Sequence, residues 1–305
     1  MTEKSESLDI EAKALKKRTL LRKASIAAVA FAVLISLFAA GLFVNNNVSF
    51  VNNTTFSTRL DGSIKQAEEW IKRNEFVILA KRNSALIRML RFCDKVKANP
   101  PLNKIVTACM DHPTRHYTSC LKREVDPNWP VTDKQLELTL KELIIDGRWG
   151  LYAAAPEQAK LTPQQLQLLF DPERSHYRRL THQLYALVLL REREGANEQL
   201  DKLIEHLCNR LRRELVFDMA VVDIQIQKVS FVLMAGFPEK IHRRWVERII
   251  SNQLPDGGWN DRWFCLTSAR RPKFDFSPSN QHATIQALTA LYLVRHRYPE
   301  HFGLK

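Results

Sequence analysis

Apolar spacing divides the chain at residue 44. Residues 24–44 (ASIAAVAFAVLISLFAAGLFV) run for 21 positions without a charge. As a helix rising ~1.5 Å per residue they span a ~30 Å hydrocarbon core with every backbone group bonded internally. Beyond residue 60 the apolar positions recur at helical spacing, and few stretches alternate with period two, so almost no sheet is expected. Ser63 is expected to cap a helix from Ile64, with Ile64, Ala67, Ile71, Val77 and Ile78 as its stripe. Further helices are predicted over 83–97, 102–111, 114–122, 132–145, 174–194, 197–213, 220–235, 238–252 and 280–297. Thr132 with Gln135 and Thr162 with Gln165 have capping-box spacing, and Pro163 suits a first turn. Asn99-Pro100-Pro101 and Gly195 act as stops.

These helices are of two kinds. Those over 197–213 and 238–252 are rich in Arg, Lys and Glu, whereas 182–190, 220–235 and 282–294 are apolar nearly all round. The first kind belongs outside and the second inside. Alternation of the two predicts an all-α, two-layer α/α barrel or solenoid. The expected organisation is a tail over 1–23, a transmembrane helix over 24–44, an Asn/Thr/Ser-rich tether over 45–60 and a helical domain over 61–305.

One unit recurs: an outer helix, a DG-x-W turn, a loop and a His-led apolar helix. Its sharp copy spans 252–296, and a weaker one is ELIIDGRWGLY (142–152) followed by THQLYALVLLRER (181–193). QLPDGGW (253–259) resembles the turn of terpene cyclases and of protein prenyltransferase β-subunits. DFSPSNQHATIQALTALYL (275–293) resembles the inner helix that follows. The resemblance covers about 110–300 and is sharpest over the last 45 residues. It implies an α/α-toroid with both DG-x-W corners at one rim, and zinc held by Asp261, Cys265 and His282. The chain departs from it in lacking the DxDD cluster and the DDxxD box. Asp261 and Cys265 also stand four apart where the family has Asp-x-Cys. Because such turns also serve carbohydrate-acting α/α-barrels and peptide cyclases, the motif specifies architecture better than activity.

Charge adds location. Of the formal +13, residues 1–23 contribute seven Lys/Arg against four Asp/Glu, and the rest lies beyond the apolar segment. Lys13, Lys16, Lys17, Arg18, Arg22 and Lys23 precede that segment, and no charge follows it until Arg59. The positive-inside rule then keeps the N-terminus in the cytoplasm and sends the domain outside, in a bacterium to the periplasm. A cleaved signal would have an apolar region of only ~7–15 residues, so an uncleaved inner-membrane anchor is expected. A basic domain there meets anionic lipid or acidic glycan, or is simply solvated; nucleic acid is not an expected partner. Asn52 and Asn53 lie in N-x-[ST] sequons, which matter only in a eukaryotic secretory pathway.

Candidate chemistry gathers at the heads of the inner helices. His176, His182 and Gln183, then Asp223, Gln225 and Gln227, then Gln281, His282 and Gln286 would line a cavity. His182, Asp223 and His282 are the candidate acid and base, or metal ligands. Trp149, His176, Trp259, Arg262, Trp263, Arg270 and Gln286 are the candidate ligand contacts. The loop from Arg262 to Phe274 interleaves basic and aromatic residues that hold an anion, or else only seals the barrel end. Asp146 and Asp256 are turn aspartates expected to bond their own backbone. Cys109-x2-His112-x3-His116-x3-Cys120 has zinc-like spacing, but outside the cytoplasm one disulfide among Cys93, Cys109 and Cys120 is the expectation. With five cysteines, at least one of the set including Cys208 and Cys265 stays free or pairs between chains. No Ser-His-Asp arrangement, P-loop or dinucleotide fingerprint is present. Three classes remain: a toroid that binds or processes an anionic, isoprenoid or lipid-linked ligand; an acidic-glycan lyase or hydrolase; and a non-catalytic envelope scaffold.

Overall fold

The computed structural model describes residues 3–81, 83–111, 120, 122–171, 173, 177–195, 197–218, 221, 223–260 and 278–304. These form two compact units, residues 1–48 and 49–305. Among the described residues there is no strand, only one isolated bridge between Trp259 and Asn280.

The first unit is the single helix α1 (Glu3–Asn47). Its stretch Leu21–Asn47 is long and apolar enough to cross a membrane. Ile26, Val29, Phe31, Leu34, Leu37 and Phe38 point outward around it, each more than half exposed. A helix apolar all round and unburied is built for lipid, or for a signal sequence, rather than for a protein core.

The second unit begins earlier than expected. Helix α2 (Asn53–Arg73) is capped by Asn52, whose side chain accepts from Thr55 N at 2.8 Å. Ser63 lies in its middle, because the apolar stripe runs back through Leu60 to Phe56 at helical spacing. Much of the expected tether is therefore core-forming helix. Helices α3 (Glu75–Lys81), α4 (Ser84–Val96) and α5 (Pro100–Asp111) follow. Both predicted capping boxes form, at the heads of α6 (Asp133–Glu142) and α8 (Pro163–Phe170).

Between them the expected DG-x-W turn of the weaker copy is absent: DGRWG lies inside α7 (Ile145–Ala154). A single Gly followed by Arg does not oppose a helix, and Asp146 sits in its first turn, where negative charge is favoured. The later copy does turn. Gly257 has φ +90°, and a Cβ there would meet Gln66 O of α2 at 2.5 Å. The two copies are therefore not equivalent corners of one rim.

Helices α9 (Tyr177–Glu194), α10 (Glu198–Phe217), α11 (Asp223–Met234), α12 (Arg243–Ser251) and α13 (Gln281–Tyr292) complete the unit. α10 buries one stripe, Leu200, Ile204, Leu207, Cys208, Leu211 and Leu215, as an outer helix should. α11 and α13 bury nearly every residue on all sides. α13 packs against α2, α4 and α11, and α11 packs against α9. The inner helices α9, α11 and α13 run in one direction. Thr181 meets Gln227 near the heads of α9 and α11, and Arg191 reaches Ala235 O near their tails at 2.8 Å. Asp223 meets His282 at the heads of α11 and α13, and the Tyr298 hydroxyl donates to Leu233 O near their tails at 3.1 Å. α13 ends in a π turn over Leu293–Arg297.

The expected disulfide does not form: Cys93, Cys109, Cys120 and Cys208 are buried and none is bridged to another. Cys93 and Cys109 belong to the main core, whereas Cys120 packs in a separate small cluster with Leu136, Leu143, Leu151 and Ala159.

Candidate functional site at the helix heads

Three parallel helices place their first turns together, and the polar residues of those turns are poorly satisfied. Buried side-chain atoms without a hydrogen-bond partner include His182 Nδ1, Gln183 Oε1, Asp223 Oδ1, both amide atoms of Gln225, Gln281 Oε1 and Gln286 Oε1. Seven of the eleven such atoms among the described residues thus sit near the heads of α9, α11 and α13. Native proteins pair more than about nine in ten buried polar groups, so this concentration sets this end of the domain apart from the rest of its core.

At its centre, His282 Nδ1 lies 2.9 Å from Asp223 Oδ1. The oxygen is close enough for an electrostatic contact but is not aligned as a hydrogen-bond acceptor. On the other side of the ring, His282 Nε2 is 3.1 Å from Gln286 Nε2. Gln286 stands one turn after His282, so the helix itself sets that contact. With its proton on Nδ1, facing the carboxylate, the ring presents Nε2 as acceptor, and the Gln286 amide donates to it. The His282 side chain is 40% exposed and that of Asp223 22%. The pair therefore stands at a surface where a ligand can reach it.

His182 shares this end of the domain but takes no hydrogen bond from the pair. Gln183 is fully buried and braces the chain before α9, donating to Leu169 O at 2.8 Å. Gln227 is occupied by Thr181. Trp149 and Trp259, expected as ligand contacts, are each only 1% exposed. Their indoles donate to Gln165 O at 3.2 Å and Ile249 O at 2.8 Å, so both fill core rather than line an opening. His176, Asp261, Arg262, Trp263, Cys265 and Arg270 lie outside the described residues, as do His112 and His116 of the zinc-like spacing. Trp259 and Asn280, which flank the basic loop, are bridged at the head of α13, with Asn280 N donating to Trp259 O at 2.8 Å.

Of the two aspartates expected to bond their own backbone, Asp256 does so, whereas Asp146 stands in the first turn of α7 beside Arg179. Asp256 accepts from Gly258 N at 3.1 Å and from the Ser279 hydroxyl, which in turn accepts from Trp70 Nε1 at 2.6 Å. Burial alone would raise its carboxyl, but these hydrogen bonds and the nearby Arg73 together bring it below the usual carboxylate value. Asp146 lies 3.8 Å from Arg179. Among the described residues, no three His, Cys, Asp or Glu side chains converge as a metal would require.

A second polar centre escaped the sequence reading. Glu124 is 5% exposed, accepts from the Tyr185 hydroxyl at 3.1 Å and sits close to Gly150, where a Cβ would meet its Oε1 at 2.9 Å. Burial pushes its carboxyl up to about 7, against the lowering effect of Tyr185, Arg88 and Ser84. Arg88, itself 5% exposed, lies over the Tyr185 ring and bonds Glu192 at 2.5 Å. The readable signal was the spacing of Arg88, Arg91 and Lys95, which share one face of α4. Their acidic and aromatic neighbours come from distant segments.

Compared with models of known protein families, with curated proteins and with solved structures, the chain matches none.

Proposed function

We propose that this is a single-pass membrane protein with an extracytoplasmic α/α-toroid, periplasmic in a bacterium. In this reading the toroid binds an anionic or amphiphilic ligand, such as an isoprenoid or lipid-linked one, at the heads of its inner helices. The observation that carries the reading is the Asp223–His282–Gln286 line at 2.9 and 3.1 Å, set among unpartnered buried amides. The unburied apolar α1 supports the anchor, and the parallel course of α9, α11 and α13 supports the toroid. A carboxylate beside Nδ1 favours a ring whose Nε2 takes a proton, one part of what a general base needs. A ligand hydroxyl that displaces Gln286 would face that nitrogen.

One observation favours a second reading, an envelope scaffold without catalysis. Gln286 already occupies Nε2, and both tryptophans are core, so the same residues also serve as a polar plug.

The test is the lipid content of the purified full-length chain, read by mass spectrometry for wild type, His282→Ala and Asp223→Ala. An amphiphilic anion enriched with wild type and reduced at least about tenfold in both variants supports the ligand site. Equal recovery from all three, with helical content unchanged, removes it and leaves the scaffold.

A further inference from the structure

At the opposite end of the inner helices lies a cavity of about 750 Å³. Glu192 is ten residues beyond His182 on α9, which puts this end about 15 Å from the site described above. Residues of α4, the tail of α9, the π turn after α13, and the segment from Glu124 to Pro127 line it. Its size suits a ligand of a few tens of atoms.

Its charge is unbalanced. Arg88, Arg91, Lys95, Arg193 and Arg297 line it against two carboxylates, Glu124 and Glu192. Both carboxylates are engaged within the wall, Glu192 with Arg88 and Glu124 with Tyr185. Arg193 is held by Glu157 at 2.7 Å and by Ala154 O. Arg91 donates only to a carbonyl, Val125 O, at 2.7 Å. Arg297 lies over the rings of Phe92 and Tyr298, at 5.7 and 5.4 Å from their centroids. Among the described residues, Arg91, Lys95 and Arg297 have no ion-pair partner.

A buried group points to the same conclusion. The Arg88 side chain is 7% exposed, lines the cavity, and leaves Nη1 with no acceptor. A buried guanidinium with an unfilled donor costs more than one whose fork is complete, and an anion in the cavity would fill it. The remaining wall is apolar, with Phe92, Val96, Val125 and Leu189. The π turn aims the chain so that His296 and Arg297 both reach the cavity, and such turns recur at functional sites.

We propose that this cavity binds an organic phosphate, its phosphoryl group on Arg88, Arg91 and Arg297 and its apolar body along Phe92 and Leu189. Guanidinium forks match phosphate oxygens in a way a lysine surface does not. The phosphoryl group is that of a soluble metabolite or of a lipid head group.

Calorimetric titration of the full-length chain in neutral detergent tests this, with inorganic pyrophosphate and, separately, short-chain phosphatidate as probes. Saturable binding of at least one probe is expected. Arg91→Ala/Arg297→Ala should weaken it at least about tenfold, and Lys95→Ala, at an exposed position, about threefold. Lys141→Ala/Lys202→Ala, which removes the same charge from exposed lysines elsewhere, should leave it unchanged. Tighter binding of phosphatidate assigns a lipid source, and binding of pyrophosphate alone assigns a soluble one. No saturable binding of either probe overturns the proposal. So does an equal loss in the Lys141/Lys202 control, or a Lys95→Ala variant that binds like wild type when the double variant does not fold.

Discussion

Glu124 shows most directly how burial sets chemistry in this chain. Tyr185, Arg88 and Ser84 all favour its charged form, yet burial outweighs them and its carboxyl titrates at about 7. The folded form therefore holds the proton more tightly than the unfolded chain, whose glutamate has a value of 4.5. Its contribution is fully present below about pH 4.5, falls as pH rises to about 7, and is absent above that. The difference is on the order of 3 kcal/mol at most. Glu124→Gln keeps the shape and a partner for Tyr185 but does not ionise. Unfolding midpoints at about pH 5 and about pH 8 should differ in wild type by a step that the variant lacks. A variant with the same pH step as wild type would show that some other group carries it.

At the level of elements, the turn before α13 is the most constrained feature. Gly257 needs φ +90°, and Gly258 has no room for a side chain, since its Cβ would meet Ser279 Cβ at 2.5 Å and Trp70 Nε1 at 2.7 Å. Gln253 spans the turn, donating to Gly257 O at 2.8 Å and to Ser63 O of α2 at 2.9 Å. Gly257→Ala forces a strained backbone against the carbonyl of Gln66. It should cost on the order of 2–3 kcal/mol, seen as a lower thermal midpoint; no change would mean that the turn relaxes freely. Signals confined to a few neighbouring residues were legible in the sequence. The capping boxes at Thr132 and Thr162, the stop at Gly195 and this turn all depend on local chemistry. Features set by distant partners were not legible. DGRWG resembles a turn in letters, but nothing in α7 requires a positive φ, so it stays helical. Ser63 looked like a cap because the stripe through Phe56 and Leu60 passes an Asn/Thr/Ser-rich stretch that reads as loop. Arg88, Arg91 and Lys95 were visible as one face, but Glu124 and Tyr185 reach Arg88 only in the folded chain. Asp223 and His282 were each legible as polar residues at the heads of apolar helices, but that these two meet, without His182, comes from α11 and α13 lying side by side and parallel.

For the molecule as a whole, the placement of the thiols is informative. Cys93, Cys109, Cys120 and Cys208 stand at 0%, 5%, 0% and 0% exposure. Burial pushes the Cys93 thiol up to about 12 and raises those of Cys120 and Cys208. A thiol so buried does not meet a reagent. Peptide mapping after alkylation of the folded chain should find these four unmodified, and modified together once denaturant passes the unfolding midpoint. Early modification of Cys120 alone would mean that its small cluster opens independently of the main core.

The position of α13 bears on how the polypeptide is made. Among the described residues it is the last long helix, yet it fills the space between α2, α4 and α11 and buries every residue but His282. Earlier helices therefore wait with oily faces uncovered until residues 281–292 emerge from the ribosome, and native contacts link segments some two hundred positions apart. Such long-range closure makes for slow acquisition of structure and a prolonged need for chaperones during synthesis.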